Sequence, residues 1–213
     1  MHAVAAAPEP LQSRRATILR VAEDVFAERG YDRARLDDVA QRVGIRRASL
    51  LYHFKDKGAL YGAVLDSIFA DLIESYRRVL DGDGPAGERL EQTVDLWLDV
   101  TARRPSIVRI MLREIAHGWS EHSRPWAERA KPIMQALVDV IEQGQAEHAL
   151  RQTNGVHVLM VLTGASTFLT LGGTLVATSD KPAIADRAAQ RELLLAIFRK
   201  LLGTRGPRSV VDD

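Results

Sequence analysis

The 213-residue chain contains no cysteine, which excludes disulfide bonds and zinc sites built from thiolates. The sequence also lacks the apolar–polar alternation typical of strands and any internal repeat, so we predict an all-α fold. Its N-terminal residues have no charged segment followed by a long apolar core, and we therefore expect no signal peptide. Hydrophobic residues make up 46% and charged residues 27%, as in a globular protein with a buried core.

Catalytic motifs are absent as well. We find no Ser-His-Asp arrangement, no glycine-rich phosphate loop and no catalytic pair of carboxylates, so we do not expect an enzyme. One group of possible metal ligands lies close together in sequence and consists of Glu114, His117, Glu121 and His122. Its spacing spans a glycine-containing loop and matches no known zinc motif. We interpret this group as a surface cluster, and we expect no metal ion and no cofactor.

Positive charge is concentrated near the N-terminus, although the whole chain carries a net charge of only +1. Residues 1–60 contain 11 Lys and Arg against 8 Asp and Glu, whereas the remaining residues contain 18 against 20. This distribution predicts a small anion-binding head on a nearly neutral body.

One short basic stretch, from Gly44 to Lys57, predicts a tight turn followed by a compact helix. Gly44 can adopt the positive φ that ends the preceding helix. Apolar residues recur at helical spacing and predict one buried face made of Ala48, Leu50 or Leu51, and Phe54. The opposite face carries the polar residues Arg46, Arg47, Ser49, Tyr52, His53, Lys55 and Lys57. Most basic runs are solvated surface, but this density of donors after a helix–glycine–helix turn favours binding to nucleic acid.

Apolar periodicity predicts helices on both sides of this stretch. The first helix ends at Gly30 in a left-handed conformation, and the second runs from about Leu36 to Val43. A long helix from Lys57 to about Leu80 follows a capping Asp56. Later, a short helix that carries Ile107, Ile110, Met111 and Ile115 is expected after a proline, and the last helix runs from about Ala183 to Leu202.

The segment from Val156 to Ala177 has no formally charged side chain, apart from the titratable His157. Its length meets the requirement for a membrane span, which is one interpretation. Several hydroxyl residues, three glycines and the lack of asymmetric flanking cations argue against that interpretation. We favour a buried helix whose outer face is covered by a second subunit.

Residues 18–60 resemble the DNA-binding head of the TetR family of transcriptional regulators. The matching residues are Phe26, Gly30, Tyr31, Leu36, Val39, Ala40, Val43, Gly44, Ile45, Ser49, Leu50, His53, Phe54, Lys57 and Leu60. The resemblance implies about nine helices: three in the head, a connecting fourth, middle helices around a ligand pocket, and two final helices that form a dimer. We therefore predict a tail at 1–11, a helix-turn-helix domain at 12–57, a ligand-binding and dimerisation domain at 58–203, and a tail at 204–213.

The second helix of a helix-turn-helix motif enters the major groove of DNA, where its first residues reach base edges. Because arginine can bond O6 and N7 of guanine, the candidates for base contacts are Arg46, Arg47 and Ser49. The candidates for phosphate contacts are Arg35, Tyr52, His53, Lys55 and Lys57, although His53 could equally bridge helices as a structural residue. Three positions in this region depart from the usual family pattern, with Arg35 in place of Ser or Thr, Arg46 in place of Ser, and Leu51 in place of Tyr. Leu51 completes the predicted DNA-binding set.

The resemblance also implies a ligand cavity in the body, lined by bulky apolar side chains and a few polar ones. The candidates are Trp97, Met111, His117, Trp119, Trp126, Met134, His157, Met160, Thr163, Thr167 and Phe168. Aromatic and methionine residues at helical spacing are more often ordinary core, which remains the alternative.

These features together predict a cytoplasmic, nucleoid-associated regulator that binds double-stranded DNA as a homodimer formed through its last two helices. The expected function is repression at a palindromic operator, with release by a small, largely apolar ligand. A regulator without a small-molecule inducer, or an activator, is the first alternative. A helical membrane-associated interaction module built on residues 156–177 is a remote one.

Overall fold

The computed structural model describes residues 11–118, 121–172 and 187–203, which form nine α-helices and no strand. The helices are α1 (Leu11–Arg33), α2 (Leu36–Val43), α3 (Arg47–His53), α4 (Lys57–Leu80), α5 (Ala86–Arg103), α6 (Ser106–His117), α7 (Arg124–Ala146), α8 (Gly155–Gly172) and α9 (Arg187–Leu202). The predicted all-α fold is confirmed. Apart from residue 11, the predicted tails lie outside the described residues, as do residues 173–177 of the apolar segment and the expected start of the last helix.

The chain divides into two compact units. We call the first the head unit, which comprises residues 11–69 and Arg109–Trp126. The second, the body unit, comprises Ala70–Val108 and the described residues from 127 onward. The head unit extends beyond the predicted 12–57 domain because the start of α4 and most of α6 pack with the first three helices. The functional boundary at residue 57 stays a prediction.

The core of the head unit consists of apolar residues at helical spacing on α1, α3 and α4. Ile18, Val25, Phe26 and Leu50 are each at most 1% exposed. The ring of Phe26 meets the edge of the Tyr61 ring on α4, with 4.7 Å between their centroids. Because burying side chains of this size contributes about 1.5–3 kcal/mol each, this core holds α1, α3 and the start of α4 together.

Two glycines with positive φ shape the head unit. Gly44 has φ 76° and ψ 32°, a left-handed conformation, and its N–H bonds the carbonyl of Gln41. The N–H of Ile45 bonds the carbonyl of Ala40, which completes the predicted end of α2. Gly30 has φ 74° but ψ 169°, so the prediction of a left-handed stop at this residue is wrong in its geometry. Its backbone lies instead in an extended region that is open almost only to glycine, and this breaks α1 into two parts.

The body unit has its own core and a row of ion pairs. The core residues are Leu80, Ala86, Leu90, Ile133, Leu137, Val140, Ile141, Leu150, Val158, Phe198 and Leu202. Three arginines of α9 meet three acids of α5, in the pairs Arg187–Asp99, Arg191–Asp95 and Arg199–Glu91. In the last two pairs the guanidinium donates to both carboxylate oxygens, which fixes the register of α9 along α5.

Helix α8 has one buried and one exposed side. Val158 is only 2% exposed, so part of the predicted burial is correct. The outer side presents Val156, Met160, Val161 and Phe168, which are between 48% and 69% exposed in the chain. Among the described residues, no helix combines the length and apolar character needed to cross a membrane.

Candidate nucleic-acid interface

Helix α3 is anchored by two side chains one turn apart. Leu50 and Phe54 are 0% and 5% exposed, and they form the buried face that the sequence predicted. Ala48, which was expected on that face, is exposed, because it lies two residues before Leu50 and therefore about 200° around the helix. Leu51 is 39% exposed, so Leu50 is the residue that packs inward.

The remaining surface of α3 and its flanking residues carries most of the predicted DNA-binding side chains. The exposed members are Arg35, Arg46, Arg47, Ser49, Leu51, Tyr52 and Lys55. Tyr52 is 79% exposed, so its ring is open to an external partner. His53 is only half-buried and its ring lies perpendicular to that of Tyr52, with centroids 5.5 Å apart.

Three arginines of the head unit are already paired with acids, in the pairs Arg29–Asp38, Arg42–Glu28 and Arg47–Asp37. The hydrogen bonds that Arg42 donates lower the pKa of Glu28 below its ordinary value. Arg46 and Lys55 have no acidic partner within the described ranges. The cationic surface of the head unit is therefore mixed: some of its cations are held by carboxylates and others are available to phosphates.

Lys57 has a structural role that the sequence analysis missed. Its Nζ donates to the carbonyls of Tyr31, Asp32 and Ala34 at 2.9, 3.2 and 3.3 Å. The ammonium also lies 4.4 Å from the centre of the Tyr31 ring. These carbonyls use all three donors of the ammonium group, so we correct the prediction that Lys57 contacts phosphate. Lys57 instead closes the end of α1 against the start of α4.

A buried polar cluster joins α4 to α6 within the head unit. The Tyr61 hydroxyl donates to Oε1 of Glu114 at 2.5 Å, and the Ser123 hydroxyl donates to Oε2. Burial, followed by the hydrogen bond to Glu114, raises the pKa of Tyr61 above its ordinary value. Glu114 is 6% exposed, so its assignment to a surface cluster was wrong.

The position of Glu114 also defines the inner face of α6. Ile115, the neighbouring apolar residue, is 54% exposed. Glu114 lies seven residues after Ile107 and three after Met111, so it occupies the next position of the same stripe. A charged residue on an apolar stripe was the signal that could have revealed this buried carboxylate.

The segment after residue 120 also packs on the first helices. The ring of His122 lies 4.6 Å from that of Tyr31. A Cβ atom added to Gly58 would approach the Nδ1 atom of His122 to 2.8 Å, so a larger residue here would force the imidazole to shift. His117 and Glu121, the other two members of the expected surface cluster, are exposed. Within the described parts of the chain, no three potential ligands come together in a metal-binding arrangement.

The predicted ligand-binding residues fall in both units. Met111, His117 and Trp126 belong to the head unit, where Trp126 is 9% exposed and packs on Phe69 with 3.7 Å between ring centroids. The body unit holds Trp97, Met134, His157, Met160, Thr163, Thr167 and Phe168. Trp119 lies outside the described residues.

Within the body unit, exposure divides these candidates further. Met134, Met160 and Phe168 are 47%, 69% and 54% exposed, which fits an outer surface better than an enclosed cavity. Thr167 is 8% exposed, and Trp97 has a buried indole Nε1 with no hydrogen-bond partner among the described residues.

Comparisons with known proteins agree with the geometry of α2 and α3. A family model described as bacterial regulatory proteins of the tetR family matches residues 18–64, and one described as the tetracyclin repressor-like C-terminal domain matches residues 87–197. The HTH-type transcriptional activator FasR of Mycolicibacterium smegmatis is 34% identical over 90 residues, which span 42% of this chain and 41% of FasR. The HTH-type transcriptional repressor Rv1474c of Mycobacterium tuberculosis is 29% identical over 142 residues, which span 66% of this chain and 71% of that repressor.

A solved structure extends the likeness to nearly the whole fold. The structure of AibR in complex with isovaleryl coenzyme A and operator DNA has a TM-score of 0.72 at 17% identity, and the match covers 86% of this chain and 97% of AibR. Both matched family models describe regulators and not enzymes. The second of them spans about half of the chain, and the first covers the helix-turn-helix segment. The chain therefore belongs to the TetR family of DNA-binding transcriptional regulators.

Proposed function

We propose that this regulator is a homodimeric repressor that binds a palindromic operator through α3 and is released by a small, largely apolar ligand. The observation that carries the proposal is the exposed surface of α3, where donors surround a helix anchored by only Leu50 and Phe54. A protein that binds operator DNA acts at the chromosome, so we also propose a cytoplasmic, nucleoid-associated location.

The proposed DNA contacts are of two kinds, contacts to bases and contacts to phosphates. Arg46, Arg47 and Ser49 lie at the start of α3, the part of a recognition helix that approaches base edges. Leu51 is exposed and apolar, which suits contact with a thymine methyl group. The proposed phosphate contacts are Arg35, Tyr52, His53 and Lys55.

The proposed dimer uses α8 and α9. The exposed apolar side chains Val156, Met160, Val161 and Phe168 follow one another along α8, and Leu193 on α9 is 38% exposed. A contiguous apolar surface of this kind is typical of a protein–protein interface. A two-fold dimer would place two α3 helices in successive major grooves, about 34–36 Å apart.

The ligand proposal is based on the body unit. The Nε1 atom of Trp97 on α5 is buried and has no hydrogen-bond partner among the described residues. Helix α5 contacts α8, which carries the buried Thr167. A polar group aimed at an otherwise apolar region is the usual way in which a cavity orients an apolar ligand. Because α4 contributes residues to both units, a change in its tilt is the proposed route by which a ligand alters operator affinity.

Selection of a duplex from a random library by the purified protein tests the DNA-binding part. We expect a palindromic sequence whose affinity falls steeply as salt increases. Arg46→Ala and Lys55→Ala should weaken binding. Lys131→Ala is the control, because it removes an exposed cation from α7 of the body unit and should leave binding unchanged. Equal binding by all four proteins would contradict the assignment of α3.

Sedimentation of two α8 variants tests the dimer. Met160→Asp and Phe168→Asp place a charge on the proposed interface, and we expect both to sediment as monomers with reduced operator affinity. Met134→Asp is the control, because Met134 is similarly exposed but lies on α7. A monomeric wild-type protein, or dimeric variants, would exclude this interface.

Operator titrations with and without apolar cell extract test ligand release. A fraction that weakens operator binding should do so less in Trp97→Phe, which removes the indole N–H and keeps an aromatic ring. If no fraction changes operator affinity, the alternative of a regulator without an inducer replaces the proposal. Transcription in vitro from a promoter that contains the selected operator then distinguishes a repressor from an activator. Both outcomes have a precedent, because FasR is named as an activator and Rv1474c as a repressor.

A further inference from the structure

We propose that Asp37 is a specificity-determining residue, which orients the guanidinium of Arg47 for contact with a base edge. This inference depends on the proposed DNA-binding function and assigns a role within the same interface. Asp37 lies in the first turn of α2, and Arg47 is the first residue of α3. The Nη1 atom of Arg47 is 2.6 Å from Oδ2 of Asp37, so the pair spans the turn between the two helices.

The pair is too exposed for its main role to be stability. The side chains of Arg47 and Asp37 are 56% and 59% exposed, and exposed ion pairs contribute little to folding. The buried contacts of Leu50 and Phe54 already fix α3. The pair instead fixes the direction of the Arg47 side chain, on the helix that is proposed to approach DNA.

Asp37 engages only one nitrogen of the guanidinium. A guanidinium has five N–H donors in a rigid plane, and recognition of guanine O6 and N7 uses two parallel donors from one edge. The contact at Nη1 leaves the edge formed by Nε and Nη2 available. Arg47 is therefore held at one end while its other edge can still make a bidentate contact. Because its orientation is set before binding, less rotamer entropy is lost when that contact forms.

The same carboxylate should weaken binding to DNA that lacks the correct base. Random DNA offers Arg47 mainly phosphates, and a carboxylate beside the guanidinium repels phosphate and competes with it for donors. Arg46 differs, because it has no acidic partner among the described residues and can follow any phosphate. The two adjacent arginines thus differ: Arg46 can bond a base edge or a phosphate and so adds affinity for any duplex, whereas Arg47 held by Asp37 adds mainly selectivity.

A double-mutant cycle tests the role of Asp37. Fluorescence anisotropy at one salt concentration measures the affinity of wild type, Asp37→Asn, Arg47→Ala and the double variant. The probes are the duplex that wild type selects from a random library and a random-sequence duplex of the same length. Glu28→Gln is the control, because it removes one negative charge from a different exposed ion pair of the head unit, that with Arg42. Thermal denaturation checks that each variant folds.

We expect Asp37→Asn to lower the ratio of selected to random affinity by about two- to fivefold per half-site. Glu28→Gln should raise both affinities alike and leave the ratio unchanged. In the Arg47→Ala background, Asp37→Asn should have no further effect on the ratio. An unchanged ratio in Asp37→Asn, or the same decrease in both backgrounds, would overturn the role of Asp37 alone. A wild type that prefers no duplex would overturn the proposed function as well.

Discussion

Removal of the Tyr61 hydroxyl tests how strongly the buried cluster stabilises the head unit. Tyr61 and Glu114 are 2% and 6% exposed, and the hydroxyl lies 2.5 Å from the carboxylate. Replacement by phenylalanine keeps the ring and its edge contact with Phe26, so the change is confined to one hydrogen bond. A hydrogen bond to a charged group contributes about 1.5–3 kcal/mol. Glu114 keeps the bond from Ser123, so we expect Tyr61→Phe to lower the free energy of unfolding by about 2 kcal/mol.

Urea denaturation followed by circular dichroism measures this loss, and Tyr76→Phe provides a matched control. The Tyr76 hydroxyl is 3.4 Å from the carbonyl of Thr93, a long bond to a neutral acceptor, so its removal should cost less than about 1 kcal/mol. In a Glu114→Gln background the effect of Tyr61→Phe should shrink, because the acceptor is no longer charged. Equal losses in the two Tyr→Phe variants, or an undiminished loss beside Gln, would refute the argument.

Four further measurements address the head unit. Gly44→Ala should destabilise it by about 1–2 kcal/mol because φ is +76°, although no atom lies within 4 Å of the added Cβ. Gly62→Ala, also free of contacts but within a helix, should stabilise it by about 0.5–1 kcal/mol, and urea denaturation compares the two. Lys57→Met should cost about 2 kcal/mol by the same assay, because three carbonyls lose their donor. The pKa of Glu28 is lowered by Arg42, so its contribution to stability is present above the ordinary carboxyl pKa of about 4.3 and lost as pH falls through the lower folded value. Glu28→Gln should therefore flatten the acid limb of a plot of stability against pH.

Helix positions could be predicted from the sequence because they depend on neighbouring residues. The helices predicted from about Leu36 to Val43 and from Lys57 to about Leu80 correspond to α2 and α4. The turn at Gly44 was equally local, since a glycine after an amphipathic helix is a sufficient signal. The error at Ala48 has the opposite origin: in a helix of only seven residues, too few apolar positions define the direction of the core.

The polar contacts could not be predicted in this way, since they join residues that are distant in sequence. Tyr61 and Glu114 are 53 positions apart, and the carbonyls that accept hydrogen bonds from Lys57 precede it by 23 to 26 positions. A basic residue beside a recognition helix resembles a phosphate contact until the fold shows which acceptors surround it. Lys57 and Glu114, the charged residues that were misassigned, both have partners that are distant in sequence.

The same reasoning changes how the charge of the head should be counted. The excess of cations in residues 1–60 predicted an anion-binding surface, yet Arg29, Arg42 and Arg47 each have a carboxylate partner and Lys57 is bonded to carbonyls. An arginine that keeps its acidic partner in the complex releases no counterion, so the salt dependence of binding should be weaker than the number of cations implies. Affinity for phosphate then depends on a few cations without acidic partners among the described residues, such as Lys55. Selectivity depends on the side chains whose direction the fold has already set.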